Sequence, residues 1–155
     1  METTDYKSIA KKLKFEGRAF INGKYVDAID GKKFENINPA TGEILCSISK
    51  CNHKDVDLAV KVSRKVFESG IWSRSTPEHR KEVLLKFASL LRKHGNENSV
   101  LECVDTGKLI ADCINEVAND APMHFQWYGE LIDKVFGKVG STDPSITSLI
   151  VKEPI

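Results

Sequence analysis

The sequence predicts an α/β chain in which short antiparallel strands come first, helices fill the middle and extended segments return at the end. Three observations support this order. Turn-forming pairs with glycine separate short apolar stretches up to residue 49, apolar residues recur at helical spacing from residue 52 to residue 136, and that spacing stops at Gly137. Alternation with a period of two is typical of strands, and spacings of three or four are typical of helices.

Length and charge limit the possible functions. The chain has 155 residues, the length of one ordinary domain. Its 23 Lys and Arg residues nearly balance its 22 Asp and Glu residues, without a sustained run of either sign. We therefore expect no nucleic-acid partner. Because no stretch has the length and apolarity of a membrane span or a secretory leader, we expect a soluble, cytoplasmic protein.

Residues 1–19 are predicted to form a leader helix. Ile9 and Leu13 lie one helical turn apart among several lysines. A basic amphipathic helix of this kind could lie on a membrane surface. The simpler interpretation, which we favour, is a helix that packs against its own protein, with no membrane partner.

The strands that follow are predicted to form a β meander. Asn22-Gly23 favours the positive φ angles of a type I′ hairpin. Pro39 disfavours a helical residue before it, so residues 34–38 should be extended, and Thr41-Gly42 then reverses the chain. Residues 44–49 alternate between apolar and mostly polar side chains. The apolar face of this last strand should carry Ile44, Cys46 and Ile48.

A helix pair is predicted next. Asn52 is a good N-cap with Asp55 three residues later, and Ser69-Gly70 should end this helix. Thr76-Pro77, a cap followed by proline, begins the second helix, which should end at His94-Gly95. The pair is expected to form an αα-hairpin.

A shorter helix over residues 96–104 should end before Gly107. Residues 112–136 carry apolar side chains at helical spacing and predict a long amphipathic helix, which Pro122 should kink. Its apolar face should carry Ile114, Val117, Ala118, Ala121, Phe125, Tyr128, Leu131, Ile132 and Val135. After it, residues 145–152 are expected to be extended.

Residue types that often perform chemistry are present but lack a chemical pattern. The cysteines show neither a C-x-x-C pair nor the spacing of a zinc site, so we expect each to act as a small apolar side chain. They are Cys46, Cys51, Cys103 and Cys113. The four histidines are scattered, and surface or helix-end positions are expected for them. Trp72, Trp127 and Tyr128 are expected to pack in a core or an interface.

Three motifs, taken together, carry a family resemblance. Residues 34–43 read Phe-Glu-Asn-Ile-Asn-Pro-Ala-Thr-Gly-Glu, residues 105–108 read Asp-Thr-Gly-Lys, and residues 152–155 read Lys-Glu-Pro-Ile. In order and spacing they resemble the opening third of an NAD(P)-dependent aldehyde dehydrogenase. The resemblance implies the N-terminal part of that fold. Residues 20–136 would begin an incomplete cofactor-binding domain, and residues 137–155 would form a β arm of the oligomerisation domain.

Further segments resemble one branch of this family, the γ-glutamyl-γ-aminobutyraldehyde dehydrogenases and related aminoaldehyde enzymes. These segments are residues 18–23, 70–73, 126–128 and 132–137. The resemblance implies a homo-oligomer that assembles through the terminal β arm and, for the complete enzyme, a small aldehyde substrate.

The family reaction needs a cysteine thiolate, an oxyanion donor, a glutamate base and a nucleotide cradle. The resemblance places all four after Ile155, and neither Cys103 nor Cys113 matches the active-site motif. Gly137-Lys-Val-Gly140 is also not a phosphate-binding fingerprint, because it has only two glycines and no predicted helix after it. We therefore expect an N-terminal fragment that is inactive alone and binds neither NAD nor NADP.

A different class of function is the alternative: a stand-alone interaction module that pairs with a full-length relative. Residues 145–152 would leave strand edges unpaired, and such edges favour association.

The resemblance also implies a monovalent cation site. Its ligands would be the Asp105 carboxylate, main-chain carbonyls near Asn36 and Ile37, and a further ligand later in the chain. A hard cation suits oxygen ligands. Alternatively, Asp105 caps or hydrogen-bonds neighbouring backbone in its own turn.

Overall fold

The computed structural model describes residues 4–153, so the first three residues of the predicted leader and the last two of the predicted arm lie outside the described residues. The elements before the helices are α1 (Tyr6–Ala10), β1 (Ala19–Ile21), β2 (Lys24–Val26), β3 (Lys33–Ile37) and β4 (Ile44–Ser49). The helical part contains α2 (His53–Ser69), α3 (Pro77–Lys93), α4 (Gly95–Thr106), α5 (Ile110–Cys113), a π-helical stretch (Ile114–Asp120) that we call the π segment, and α6 (Ala121–Leu131). The last elements are β5 (Lys138–Gly140) and β6 (Ser148–Ile150).

The strands pair as hairpins, and the predicted meander is divided into separate two-stranded antiparallel sheets, β1 with β2 and β3 with β4. The first turn is as predicted, because Asn22 and Gly23 both have positive φ, 55° and 73°. The third hairpin pairs β5 with β6. Its second strand, Ser148–Ile150, is shorter than the extended stretch predicted for residues 145–152.

The predicted alternation of apolar and polar faces along β4 is wrong at Ile44, the first residue of the strand. The pairing passes from Asn36 opposite Cys46 to Ile37 opposite Ile44, so Leu45 is the extra residue of a β-bulge. Ile44 is consequently 58% exposed, whereas Ser49, on the face predicted to be polar, is buried.

The leader helix is much shorter than the predicted residues 1–19. It begins after its N-cap Asp5, whose carboxylate accepts a hydrogen bond from Ser8 N–H at 3.0 Å, and ends at Ala10. α1 packs against α4, as the simpler interpretation expected. The chain then runs beside β4, where Ser49 N–H donates to the Gly17 carbonyl at 2.7 Å.

The predicted helix ends are confirmed where local capping chemistry determines them. Asn52 and the residue three positions later form a capping box at the start of α2, and Gly70 ends that helix with φ 72°. Thr76 caps α3 immediately before its first proline. Gly107 ends α4 in the left-handed conformation, with φ 77°.

The predicted long helix is three consecutive segments, α5, the π segment and α6. Pro122 lies in the first turn of α6 and has no N–H to donate to the preceding turn. Ala121 N–H instead donates to the Glu116 carbonyl, five residues earlier, which is the π pattern. The helix type therefore changes from π to α at the proline, and the kink itself stays a prediction.

The π segment also shifts the buried face by one position, because a π turn inserts an extra residue. Tyr128, predicted to lie on the apolar face, is 61% exposed. Gly129, the next residue, is buried instead.

The core lies mainly between α3 and α6. Ala88 is fully buried there, and Phe87 packs edge-on against Phe125 with ring centroids 4.7 Å apart. Lys81 Nζ, on α3, donates a hydrogen bond to Asp133 Oδ2 in the turn after α6, at 2.6 Å. Hydrogen bonds from Lys134 and then Lys81 lower the pKa of Asp133 to about 2, so this pair persists well into the acid range.

Much apolar surface remains exposed. Trp72, Trp127 and Tyr128 are 42%, 65% and 61% exposed, so they do not lie in the core of this chain, and packing at an interface stays a prediction. The histidines are exposed, as predicted. Among residues 4–153, no helix combines the length and apolarity needed to cross a bilayer.

Candidate functional site

The structure brings two of the three predicted ion-site residues into contact. Asn36 lies on β3 and Asp105 in the last turn of α4, yet the Asn36 side-chain Nδ2 donates to Asp105 Oδ1 at 2.6 Å. Ile37 is the next residue along the strand. Asp105 thus hydrogen-bonds a side chain from another element, which differs from the bond to neighbouring backbone that the alternative expected.

The turns on either side of this contact also touch. A Cβ atom placed on Gly107 would lie 2.9 Å from Pro39 Cγ, so only glycine allows this approach while keeping φ at 77°. Thr106 Oγ1 donates to the Glu102 carbonyl at 2.7 Å and stabilises the same helix end. The Asn-Pro-Ala-Thr-Gly and Asp-Thr-Gly-Lys motifs therefore form one packed junction.

Lys108 links this junction to the π segment. Its Nζ donates to Glu116 Oε2 at 2.6 Å and lies 4.0 Å from Glu102 Oε1. The hydrogen bond to Glu116 raises the pKa of Lys108, which therefore remains protonated at neutral pH and is not a general base. Sequence analysis singled out the motif that contains Lys108 but missed its partner, because no local spacing rule indicates it.

Cys103 and Cys113, on the helices beside this junction, do not have the surroundings of activated nucleophiles. Cys113 is fully buried, and burial raises the pKa of its thiol. Its carbonyl accepts a hydrogen bond from Ser99 Oγ at 3.1 Å. Cys103 Sγ lies 3.1 Å from the Lys108 carbonyl, to which its thiol donates. Catalytic cysteines need a stabilised thiolate, and the burial of Cys113 opposes one.

The junction offers a carboxylate, an amide and backbone oxygens. Such donors suit a hard monovalent cation, and they provide neither a nucleophile nor a hydride acceptor. Within residues 4–153, no group of three or more His, Cys, Asp or Glu residues is arranged to hold a metal ion.

A model of the aldehyde dehydrogenase family matches residues 25–155. The aminoacetaldehyde dehydrogenase of Pseudomonas aeruginosa is 38% identical over 151 residues, which make up 97% of this chain and 30% of that protein.

Solved structures agree. The aldehyde dehydrogenase KauB from Pseudomonas aeruginosa matches with a TM-score of 0.93 and 39% identity, over 97% of this chain and 30% of that one. The γ-glutamyl-γ-aminobutyraldehyde dehydrogenase from Burkholderia cenocepacia matches with a TM-score of 0.86 and 40% identity, over 90% of this chain and 28% of that one.

The chain spans about 30% of the length of these relatives and corresponds to their N-terminal portion. These similarities give no support to the stand-alone interaction module. The resemblance found in the sequence motifs is confirmed, and the chain belongs to the aldehyde dehydrogenase family.

Proposed function

We propose that this chain is the scaffold portion of an enzyme that oxidises a small aldehyde to a carboxylic acid with NAD or NADP, and that it is inactive by itself. The observation that carries the proposal is the extent of the structural match, which includes nearly all of this chain but under a third of the related enzyme. The buried, protonated thiol of Cys113 agrees with a structural role.

NAD or NADP would accept the hydride in the complete enzyme, but the glycine-containing segment that follows Gly137 does not fit a nucleotide cradle. Phosphate-binding loops place backbone N–H groups at the start of a helix. Lys138–Gly140 instead form strand β5, and a turn follows in which Ser145 N–H donates to Asp143 Oδ1 at 2.9 Å. This segment therefore provides no pyrophosphate site.

Titration of the purified chain with NAD or NADP, monitored by calorimetry, should give no saturable heat of binding. The aminoacetaldehyde dehydrogenase of Pseudomonas aeruginosa is a positive control. Binding of either nucleotide to this chain in the micromolar range would contradict the proposal.

We further propose that residues 20–136 begin the cofactor domain and residues 137–155 form an arm for homo-oligomer assembly in the cytoplasm. Val139 and Leu149 are register partners in the last hairpin and are 74% and 65% exposed. An apolar pair on a short open sheet favours pairing with another strand. Similarity to the two aminoaldehyde enzymes favours an aminoaldehyde substrate.

A monovalent cation site at Asn36, Ile37 and Asp105 is part of the same proposal. Asp105 is exposed and accepts a hydrogen bond from the Asn36 amide, and Ile37 follows Asn36 along β3. The Asp105 carboxylate and main-chain carbonyls near Asn36 and Ile37 would be oxygen ligands for a hard cation, and water or a further protein group would supply the remainder.

Sodium or potassium chloride is therefore expected to raise the midpoint of thermal unfolding above that in choline chloride of equal ionic strength. Asp105→Asn should abolish the difference, because it removes the negative ligand. Asp112→Asn, at an exposed position on α5, is the control that should retain it. An identical midpoint in all three salts would eliminate the ion site.

A further inference from the structure

We propose that Asn22 is a site of spontaneous chemical modification, at which the side-chain amide is lost and an aspartate or isoaspartate residue remains. The reaction takes place in the turn between β1 and β2, and its only co-reactant is water. Because it requires neither NAD nor an aldehyde, it is independent of the proposed enzyme activity.

Asn22 differs from the other asparagines in the residue that follows it. The sequence contains eight asparagines, and only Asn22 is followed by glycine. A Cβ atom on the following residue hinders the approach of its backbone nitrogen to the asparagine side chain, and glycine has no Cβ atom. The side-chain carbonyl carbon of Asn22 is therefore the most open to attack from within the chain.

The reaction is an intramolecular displacement. The Gly23 backbone nitrogen gives its proton to hydroxide and bonds to Asn22 Cγ. The bond between Cγ and Nδ2 breaks, and Nδ2 takes a proton from water and leaves as ammonia. Water then opens the resulting succinimide ring at either of its carbonyl carbons, which gives aspartate or isoaspartate. No group is oxidised or reduced.

The turn is open to solvent and to movement. Both of its central residues are exposed, and a Cβ atom placed on Gly23 would have no heavy atom within 4 Å beyond its neighbours in the chain. Among the described residues, Asn22 is the only one other than glycine with a positive φ, 55°. This conformation is less favourable for a residue with a side chain than for glycine. The turn is therefore neither covered nor fully relaxed.

The hairpin that holds the turn is short and isolated. β1 and β2 have three residues each, and within residues 4–153 they pair only with each other. Phe20 and Tyr25 pack edge-on with ring centroids 5.1 Å apart, yet they are 65% and 53% exposed. A hairpin of two strands is at best marginally stable in water. It can therefore open locally and let Asn22 rotate until the Gly23 nitrogen faces Cγ.

The modification would change the hairpin itself. The main chain of isoaspartate runs through its side chain and is one atom longer, whereas the two-residue turn fixes the register that places Ile21 opposite Lys24. Isoaspartate should therefore open the hairpin. Asn22 also borders a groove of about 460 Å³ with Phe67 and Trp72, so either product would place a carboxylate beside apolar surface.

The first experiment measures the rate at each asparagine. The full chain is incubated in mildly alkaline buffer, digested at intervals and analysed by mass spectrometry, with fragmentation that separates isoaspartate from aspartate. We expect Asn22 to react at least tenfold faster than any other asparagine of the chain. A smaller difference would overturn the inference.

A synthetic peptide of residues 16–28 provides the rate without the packed hairpin. Because the hairpin opens easily, Asn22 in the full chain should react within tenfold of its rate in the peptide. A slower reaction in the full chain would show that the fold protects the turn, and it would overturn the inference.

Asn22→Gly is the matched control, because it removes the amide and leaves a glycine pair that also favours a type I′ turn. Trypsin cleavage after the exposed Lys24 reports the opening of the hairpin. Incubation should speed this cleavage at least threefold in the wild type and leave it unchanged in the variant. An equal change in both proteins, or no change in a wild type that has reacted at Asn22, would contradict the predicted opening.

Discussion

Replacing Asp55 with alanine is expected to lower the free energy of unfolding by about 2–4 kcal/mol, a large part of what a domain of this size has. Asp55 is 3% exposed, and its two carboxylate oxygens hold two separate segments. Oδ1 accepts from Ile29 N–H at 2.9 Å, and Oδ2 accepts from Asn52 N–H at 2.8 Å. Without the carboxylate, both donors lose their partner, and α2 loses its connection to the segment between β2 and β3.

Urea unfolding followed by circular dichroism measures this effect. Asp57→Ala, two residues later at an exposed position of the same helix, should cost no more than about 0.5 kcal/mol. The unfolding free energy of the Asp55→Asn variant should fall between those of the two alanine variants, because the asparagine amide keeps one acceptor oxygen. Equal stability of the Asp55→Ala and Asp57→Ala variants would mean that the carboxylate does not anchor α2.

Replacing Gly129 with leucine is expected to destabilise the chain by about 3 kcal/mol, at the upper end of the usual cost of overpacking. Gly129 is buried on α6 and faces Leu84 and Leu85 of α3. A Cβ atom there would lie 3.1 Å from Leu84 Cβ and 3.6 Å from Leu85 Cδ2. The larger side chain would therefore separate the two helices that form the core.

The neighbouring substitution Tyr128→Leu provides the control, because that side chain is 61% exposed. It should change the unfolding free energy by less than about 0.5 kcal/mol. Gly129→Ala should be close to neutral, because the gain in helix propensity of about 1 kcal/mol offsets a mild steric conflict. A Gly129→Leu variant as stable as the wild type would show that α3 and α6 do not pack in this way.

The sequence predicted the local features of the fold because their causes are local. Asn22-Gly23, Asn52, Thr76 and Gly107 each determine the conformation of their own turn or helix end, and the structure confirms all four. Two of the motifs identified the family for a similar reason, since Asn-Pro-Ala-Thr-Gly and Asp-Thr-Gly-Lys each contain a glycine with positive φ, Gly42 and Gly107.

Features that depend on distant residues were not predictable in this way. No periodicity indicates that Ile29 donates to Asp55 or that Asn36 donates to Asp105. The sequence also could not show that a π segment would precede the proline and that the buried face of α6 would shift by one residue.

Burial was predicted less well than secondary structure for a physical reason. The sequence pattern marks which face of a helix is apolar, but whether that face is covered depends on its neighbours. Val56, Val60 and Val66 on α2 and the aromatic residues of α6 are apolar, as buried side chains usually are, and they remain exposed in this chain. Their exposure is what the scaffold proposal expects of one part of a larger enzyme.

The central claim is that these 155 residues provide scaffold and no aldehyde chemistry. Its most direct test is the aldehyde-dependent formation of reduced nicotinamide by the purified chain, followed by near-ultraviolet absorbance with NAD and with NADP. We expect no formation above the rate without protein, for aminoacetaldehyde or for simple aliphatic aldehydes. Reduction that scales with the concentration of the chain and is lost in a Cys103→Ser or Cys113→Ser variant would contradict the account.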